Sequence, residues 1–308
     1  MPDVTEHPQL IQAHEFAEKL RELARTSPDK VAFAVHAEGT PEVSLFANRP
    51  MRLRSVSKAA IGLAYAREVA KDPSFATKTV GINAVDKVDP GYFDGGAHAA
   101  WKETLPAGAQ EVSHEAIARG MLHESSNTCT QYMLDLLGHE KVNAITTEHG
   151  LELQPFTKVY DELRAPLRGS ASDTMKLMSS IATKETPAVR SAFQSVALPF
   201  HVISVGHGEA AGFGKGGAGI MALAQGHRHD FNYAWHVEHN GKPVSACLLT
   251  NNLKPQEMEF LEKRFASFAC ESSCNAGFRA KCASLFEKCI TSASHGMGLL
   301  KKTRFPPL

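Results

Sequence analysis

From Ser55 the chain reads SVSKAAIGLAYAREVA, rich in alanine and almost continuously apolar until its charged end. A helix without a polar face has to be covered on most sides. This stretch predicts a central helix, and the rest of the sequence must supply the layers that enclose it.

Residues 8–25, PQLIQAHEFAEKLRELAR, place apolar side chains at helical spacing and read as an amphipathic helix ending at the Ser27-Pro28 break. VAFAVHA and EVSLFAN, separated by EGTP, then read as a hairpin. From about 75 to 200 loops alternate with helical patterns such as EAIARGML, TCTQYMLDLLG, EKVNAITTEHG and DTMKLMSSIA. After Pro199 the texture changes to HVISVG, GEAAGFGKGGAGIMALAQ, HDFNYAWHVEH and KPVSACLLTNN, from which three antiparallel strands are expected. GHRHD at 226–230 reads as a polar hairpin turn with no function of its own. PQEMEFLEKRFASFA closes the pattern as a helix with Met258, Leu261, Phe265 and Phe268 on or near one side. Sheet residues thus come from both ends of the chain with a helical block between them, an α+β architecture whose two regions share a cleft. At 308 residues one integrated unit is the expectation.

Lys plus Arg and Asp plus Glu balance at 33 each, so no net field draws the chain to nucleic acid or a membrane, and neither is expected as a partner. No leader pattern opens the sequence and no apolar run approaches the roughly 18 residues of a membrane span, which makes a cytoplasmic protein the expectation. Four of the six cysteines, Cys270, Cys274, Cys282 and Cys289, crowd the C-terminus without the C-x2-C pairs of common zinc sites. Reduced, packed thiols, disulfides and a metal site are the readings, in that order. No metal or other cofactor is expected, and the oligomeric state is left open.

Chemistry enters at Ser55-Val56-Ser57-Lys58. A serine hydroxyl is a poor nucleophile until a base takes its proton, and a Lys three residues along a helix lies on the same face, within reach of Oγ. The helix N-terminus adds N–H groups where negative charge would develop. Ser125-Ser126-Asn127 and Lys215-Gly216-Gly217 follow. With them the chain resembles class A β-lactamases and the related penicillin-binding proteins, whose signatures Ser-x-x-Lys, Ser-Asp-Asn and Lys-Thr-Gly stand in this order. The resemblance runs from about residue 30 to about 270, and its most telling segment is HESSNTCTQYMLDLLGHEKVNAITTEHG.

The resemblance implies a single β-lactamase-like catalytic unit over 1–308: an α/β region at about 1–54 and 200–270, a helical region at about 55–199, and a Cys-containing extension at about 271–308. It also implies roles. Ser55 would form the acyl-enzyme, Lys58 would be its base, and Ser125 would pass a proton to the leaving group. Asn127 would bind the acyl side chain, and Lys215 would hold the proton network or a substrate carboxylate. The backbone N–H groups of Ser55 and Ala218, beside Gly217, would form the oxyanion hole. The plainer reading makes Ser125 and Asn127 helix caps and Lys215 a solvated strand residue.

Three positions depart from the family pattern. Ser126 stands for the Asp of Ser-Asp-Asn, and Gly216 for the hydroxyl residue that the family turns towards substrate carboxylates. In VYDELR, Tyr160 falls at the Glu that activates the deacylating water, with Asp161 or Glu162 as substitutes if the loop is shifted. A phenol with its ordinary pKa of about 10 is a weak base at neutral pH, so slow hydrolysis of the acyl-enzyme is expected. His123 lies near the cleft rim and reads as a packed or solvated residue. The function expected is a serine hydrolase or acyltransferase acting on a small-molecule amide, β-lactam or ester. A cytoplasmic, biosynthetic role with transfer to an amine, including lactam closure, would suit the departures. A β-lactam-hydrolysing enzyme, a DD-peptidase and a non-catalytic binder on the same fold are the rivals.

Overall fold

The computed structural model describes residues 8–88, 95–149, 167–204, 208–223, 226–239 and 241–287. Helix α1 (Pro8–Thr26) leads into β1 (Val31–Ala37), β2 (Val43–Leu45) and β3 (Met51–Arg52). The helical region contains α2 (Lys58–Lys71), α3 (Ser74–Thr77), β4 (Thr79–Gly81), α4 (Ile82–Asp86), α5 (Ala97–Glu103) and β5 (Glu111–Ser113). It continues through α6 (His114–Leu122), α7 (Asn127–Leu137), α8 (His139–Glu148), β6 (Arg168–Gly169), α9 (Ala171–Thr183) and α10 (Pro187–Val196). The chain then forms β7 (Leu198–Ser204), β8 (Gly208–Leu223), β9 (Gly226–His239), β10 (Lys242–Thr250) and α11 (Pro255–Cys274).

The main sheet has six strands in the order β2-β1-β10-β9-β8-β7. Its two sequence halves meet where β1 pairs antiparallel with β10, from Val31 opposite Thr250 to Ala37 opposite Val244. The α+β fold with a sheet built from both chain ends is therefore observed. Alternation along β1 separates two apolar layers. Val31, Phe33 and Val35 join Phe16, Leu20, Phe265 and Phe268 of α1 and α11, while Ala32 and Ala34 face the larger cluster that contains α2. Small alanines on that side let helices approach the sheet closely.

Helix α2 is buried from Lys58 through Ala66, as its composition predicts. The α-helix itself starts at Lys58, because Arg54–Ser57 form a preceding 3-10 turn. Among the described residues four strands, not three, follow residue 197: Leu198–Ser204 pairs with β8 as an edge strand, where Pro199 needs no ladder partner on its outer side. GHRHD is likewise not a turn. It is the start of β9, and the ladder runs from Leu223 opposite Gly226 to Gly219 opposite Asp230. Polar composition reports solvent preference and leaves the backbone free to stay extended.

The C-terminal segment is also more integrated than its sequence suggests. A helical stretch over 276–287 puts Phe278, Cys282 and Phe286, spaced by four residues, into the layer beneath α1 and α11. Phe286 meets Phe33 edge-on at 5.1 Å between ring centroids. Cys129, Cys247 and Cys282 are buried free thiols. Cys289 lies outside the described residues.

Candidate active site

Two tight turns and one strand converge at the junction of sheet and helical region. The first turn carries Ser55. Arg54 adopts a left-handed conformation, with φ of 51°. The Ser57 hydroxyl donates to Arg54 O at 2.8 Å, closing the turn from within. Ser55 is partly exposed, whereas Val56, Ser57 and Lys58 are buried. The nucleophile candidate therefore looks outwards while the amine behind it sits in the interior.

The second turn joins α6 to α7 and contains Ser125, also left-handed with φ of 68°. Capping of α7 falls to Ser126, whose Oγ accepts from Cys129 N at 3.1 Å. The position occupied by Asp in the family pattern is thus filled here by a serine that caps α7. Ser126 Oγ also lies 3.0 Å from His98 Nδ1, and His98 Nε2 lies 2.9 Å from Asp86 Oδ1. In the neutral ring, Nε2–H donating to Asp86 leaves Nδ1 to accept from the Ser126 hydroxyl. Because Ser126 does the capping, Ser125 is left free to face the cleft.

Lys58 Nζ donates to Ser125 O at 2.6 Å, to Ser125 Oγ at 3.2 Å and to Asn127 Oδ1 at 2.9 Å, and its side chain is 0% exposed. None of these three bonds goes to Ser55. From the other side Lys215 Nζ donates to Ser125 Oγ at 3.1 Å and to Gly216 O at 2.7 Å. Lys215 is 3% exposed, and desolvation pushes its pKa down to about 7. A solvated strand lysine, the plainer expectation, is not what the structure contains. Ser125 Oγ sits between two buried amines.

Strand β8 reaches the nucleophile turn through Gly217. A Cβ there would stand 2.6 Å from Ser55 N and 3.0 Å from Val56 N, so only glycine lets the strand come this close. Ala218 follows in the ladder opposite Phe231. The neighbouring Gly216 explains the loss of the signature hydroxyl: its Cβ would meet the Tyr233 ring at 2.8 Å. Tyr233 occupies the space that a side chain at 216 would need.

Ser55, Lys58, Ser125, Asn127, Lys215 and Gly217 are thus gathered in one place. Tyr160, with Asp161 and Glu162, lies outside the described residues. His123 is paired with Glu124 at 2.9 Å. Sequence reasoning missed three contributors. Arg54 directs its guanidinium at buried Asp230, and His98 supports Ser126. Arg54 could have been noticed as the neighbour of Ser55, and Asp230 as an acid among residues otherwise fit for a strand; nothing in the sequence marks His98. Among the described residues, Glu148, His149 and Glu185 are grouped as metal ligands would be, but Arg67 bonds both carboxylates and already supplies the positive charge.

The model of the beta-lactamase enzyme family matches residues 15–198, well over half of the chain. The chain belongs to the beta-lactamase enzyme family. It is a serine-hydrolase type of enzyme. A search of curated proteins gives no match. Among solved structures this beta-lactamase-family chain is similar to PBP-A, at 17% identity and TM-score 0.62 over 83% of this chain and 94% of that one. A beta-lactamase from Chitinophaga pinensis is similar at 14% identity and TM-score 0.65, over 83% of this chain and 98% of that one. A class A beta-lactamase from Mycobacterium abscessus aligns at 11% identity and TM-score 0.61, over 84% and 97% respectively. At these identities the structural matches establish the β-lactamase fold. The end of β8 at Lys215 and the turns at Ser55 and Ser125 come together: both lysine amines reach Ser125 Oγ, and β8 meets the Ser55 turn at Gly217.

Proposed function

We propose that this family member forms an acyl-enzyme on Ser55 from an amide, β-lactam or activated ester and passes the acyl group to an acceptor. One observation carries the reading: Ser125 Oγ lies 3.2 Å from Lys58 Nζ and 3.1 Å from Lys215 Nζ, with both amines buried. Ser55 Oγ attacks the carbonyl carbon and Lys58 Nζ takes its proton, acting as the neutral amine, which has two N–H groups and so keeps only two of its three donor bonds until it is protonated. The resulting oxyanion is held by the N–H groups of Ser55 and Ala218, each donor of such a hole contributing about 2.7–4 kcal/mol to the transition state. As the C–N or C–O bond breaks, the Ser125 hydroxyl gives its proton to the leaving atom and recovers one from a neighbouring lysine. Asn127 orients the acyl side chain. A related fold supports the chemistry, since a mutant of PBP-A is described as an acyl-enzyme complex with penicillin G.

The acceptor we favour is an amine, in a biosynthetic reaction that can include lactam closure. What supports this is the sequence VYDELR, in which Tyr160 replaces the water-activating Glu of class A enzymes. The test is stopped-flow reaction with a chromogenic β-lactam, with and without added amines, alongside intact-mass spectrometry. A burst of one equivalent, an adduct on Ser55 and acceleration of release by an amine are expected. Absence of any adduct on Ser55 would sink the acyl-enzyme reading and favour a binder, and fast steady-state hydrolysis without an amine would sink amine transfer alone.

A further inference from the structure

The residue before Ser55 is a buried, ion-paired arginine to which the chemistry proposed for Ser55 assigns no task. Arg54 Nε and Nη2 both bond Asp230 Oδ2, at 2.8 and 2.7 Å. Arg54 is 5% exposed and Asp230 1%. The other carboxylate oxygen, Oδ1, accepts from Asn252 N at 2.8 Å, where Asn252 is itself left-handed with φ of 56°. Arg52 brings a second guanidinium to 4.0 Å of the same carboxylate. On the backbone side, Asn232 Nδ2 donates to Arg52 O at 2.6 Å and Asn232 Oδ1 accepts from Thr250 N at 2.7 Å. The chain leading into Ser55 is therefore fastened to β9 and β10 through its side chains and its carbonyls.

This fastening coincides with backbone that would not otherwise persist. A left-handed arginine is uncommon and unfavourable, and such conformations survive only where their surroundings hold them. The backbone torsions of Arg54, φ and ψ together, set the direction of the next peptide, whose N–H belongs to Ser55. That same N–H lies against Gly217, where a Cβ would stand 2.6 Å from Ser55 N, so a small rotation at Arg54 would carry it into β8 or away from it. Burying two charges to hold a surface turn gives little stability in itself, because desolvation offsets much of the attraction. An apolar pair would serve packing as well. What the charged pair adds is direction: Arg54 Nε and Nη2 both donate to Asp230 Oδ2 while Asn252 N donates to Oδ1, so the carboxylate that receives the guanidinium is held at both oxygens.

We propose that Arg54 and Asp230 are a positioning pair: they hold Arg54 left-handed and thereby aim the Ser55 N–H at the developing oxyanion. The inference rests on the reading of Ser55 as nucleophile. Neither residue touches substrate. Their effect is exerted through the Ser55 peptide, and so on the rate of acylation at saturating donor more than on donor binding. A misplacement of about 1 Å at a reacting group costs on the order of 100-fold in rate, which sets the scale of the expected loss.

The test compares wild type, Arg54→Lys, Asp230→Asn and the double variant Arg54→Gly with Asp230→Asn. The double variant leaves no buried charge unpaired, keeps an acceptor for Asn252 N and admits a positive φ, so it retains the fold even where Asp230→Asn alone does not. Acylation of Ser55 by a chromogenic β-lactam is followed by quenched intact-mass spectrometry over a range of donor concentrations, with affinity for a boronic acid that adds to serine as the second readout. Expected are a fall of roughly 100-fold in the saturating acylation rate of the folded double variant, a parallel loss of boronate affinity, little change in half-saturation, and an intermediate rate for Arg54→Lys. A folded double variant that acylates at the wild-type rate, or one whose loss lies wholly in half-saturation, overturns the positioning role and leaves the acyl-enzyme reading intact. A wild type that is never labelled at Ser55 overturns both.

Discussion

Lys215 Nζ reaches across the cleft from β8 to Ser125 Oγ, 3.1 Å away, while its aliphatic stem is enclosed by protein. The same burial that aims the amine also lowers its pKa from the ordinary 10.5 to about 7. Between those two values the unfolded chain binds a proton at this residue that the folded chain has released. Stability therefore rises with pH from about 7 towards 10.5. This group contributes at most about 1.4 kcal/mol per pH unit. Urea unfolding at several pH values should show that rise in wild type and a flatter profile in Lys215→Met. Parallel profiles would show that Lys215 carries its proton in the folded protein.

Ser126 has a structural task that can be measured apart from chemistry. Its Oγ accepts from Cys129 N and bonds His98 Nδ1, so Ser126→Ala removes the cap of α7 and orphans a ring nitrogen. A loss of about 1–2 kcal/mol in unfolding free energy is expected. His98→Ala should cost less, because the cap bond to Cys129 N remains. Equal stability of wild type and Ser126→Ala in denaturant titration would refute the capping assignment.

The fold was readable largely because its signals are local. The strand-like apolar run Val31–Ala37 and the apolar run after Lys58 each report burial directly, and both elements sit as expected. The three short signatures were readable through their order along the chain. What escaped was pairwise and distant: Arg54 and Asp230 are 176 residues apart, and His98 is 28 residues from Ser126. Asp230 was hidden further by GHRHD, whose polar letters suggest a turn although the strand ladder continues through them. The helix over 276–287 shows an apolar repeat at four-residue spacing, but the sheet face that receives it is made by residues such as Phe33, far away in sequence.

The buried thiols make an internal probe of opening. Burial raises the Cys282 thiol to about 12 and pushes Cys247 up as well. The thiolate is the reactive form, and neither group can present it in the folded state at neutral pH. Iodoacetamide should therefore leave both unmodified in native protein and label them at the rate of unfolding, as read by peptide mass mapping. Rapid native labelling of Cys282 would show that the 276–287 helix detaches independently of the rest.

Gly216 and Tyr233 together determine whether the family's missing hydroxyl can be restored. A Cβ at 216 would lie 2.8 and 3.0 Å from Tyr233 ring carbons, and the ring stacks on Phe231 at 6.1 Å between centroids with planes 7° apart. Gly216→Thr must therefore displace a stacked aromatic, an overpacking that typically costs about 1–3 kcal/mol. Combining it with Tyr233→Ala removes the obstruction at the cost of the ring's packing. The two changes should be strongly non-additive, with the double variant more stable than the sum of the singles by about 1 kcal/mol or more. Additive losses in a double-mutant cycle would show that the ring yields freely, and the absence of a hydroxyl at 216 would then need an explanation in substrate chemistry. If the cycle couples as expected, a carboxylate-bearing lactam tested on the double variant asks the functional question directly. Improved half-saturation for that lactam over its uncharged ester would mean that Tyr233, by excluding the hydroxyl, has turned this cleft away from carboxylate recognition.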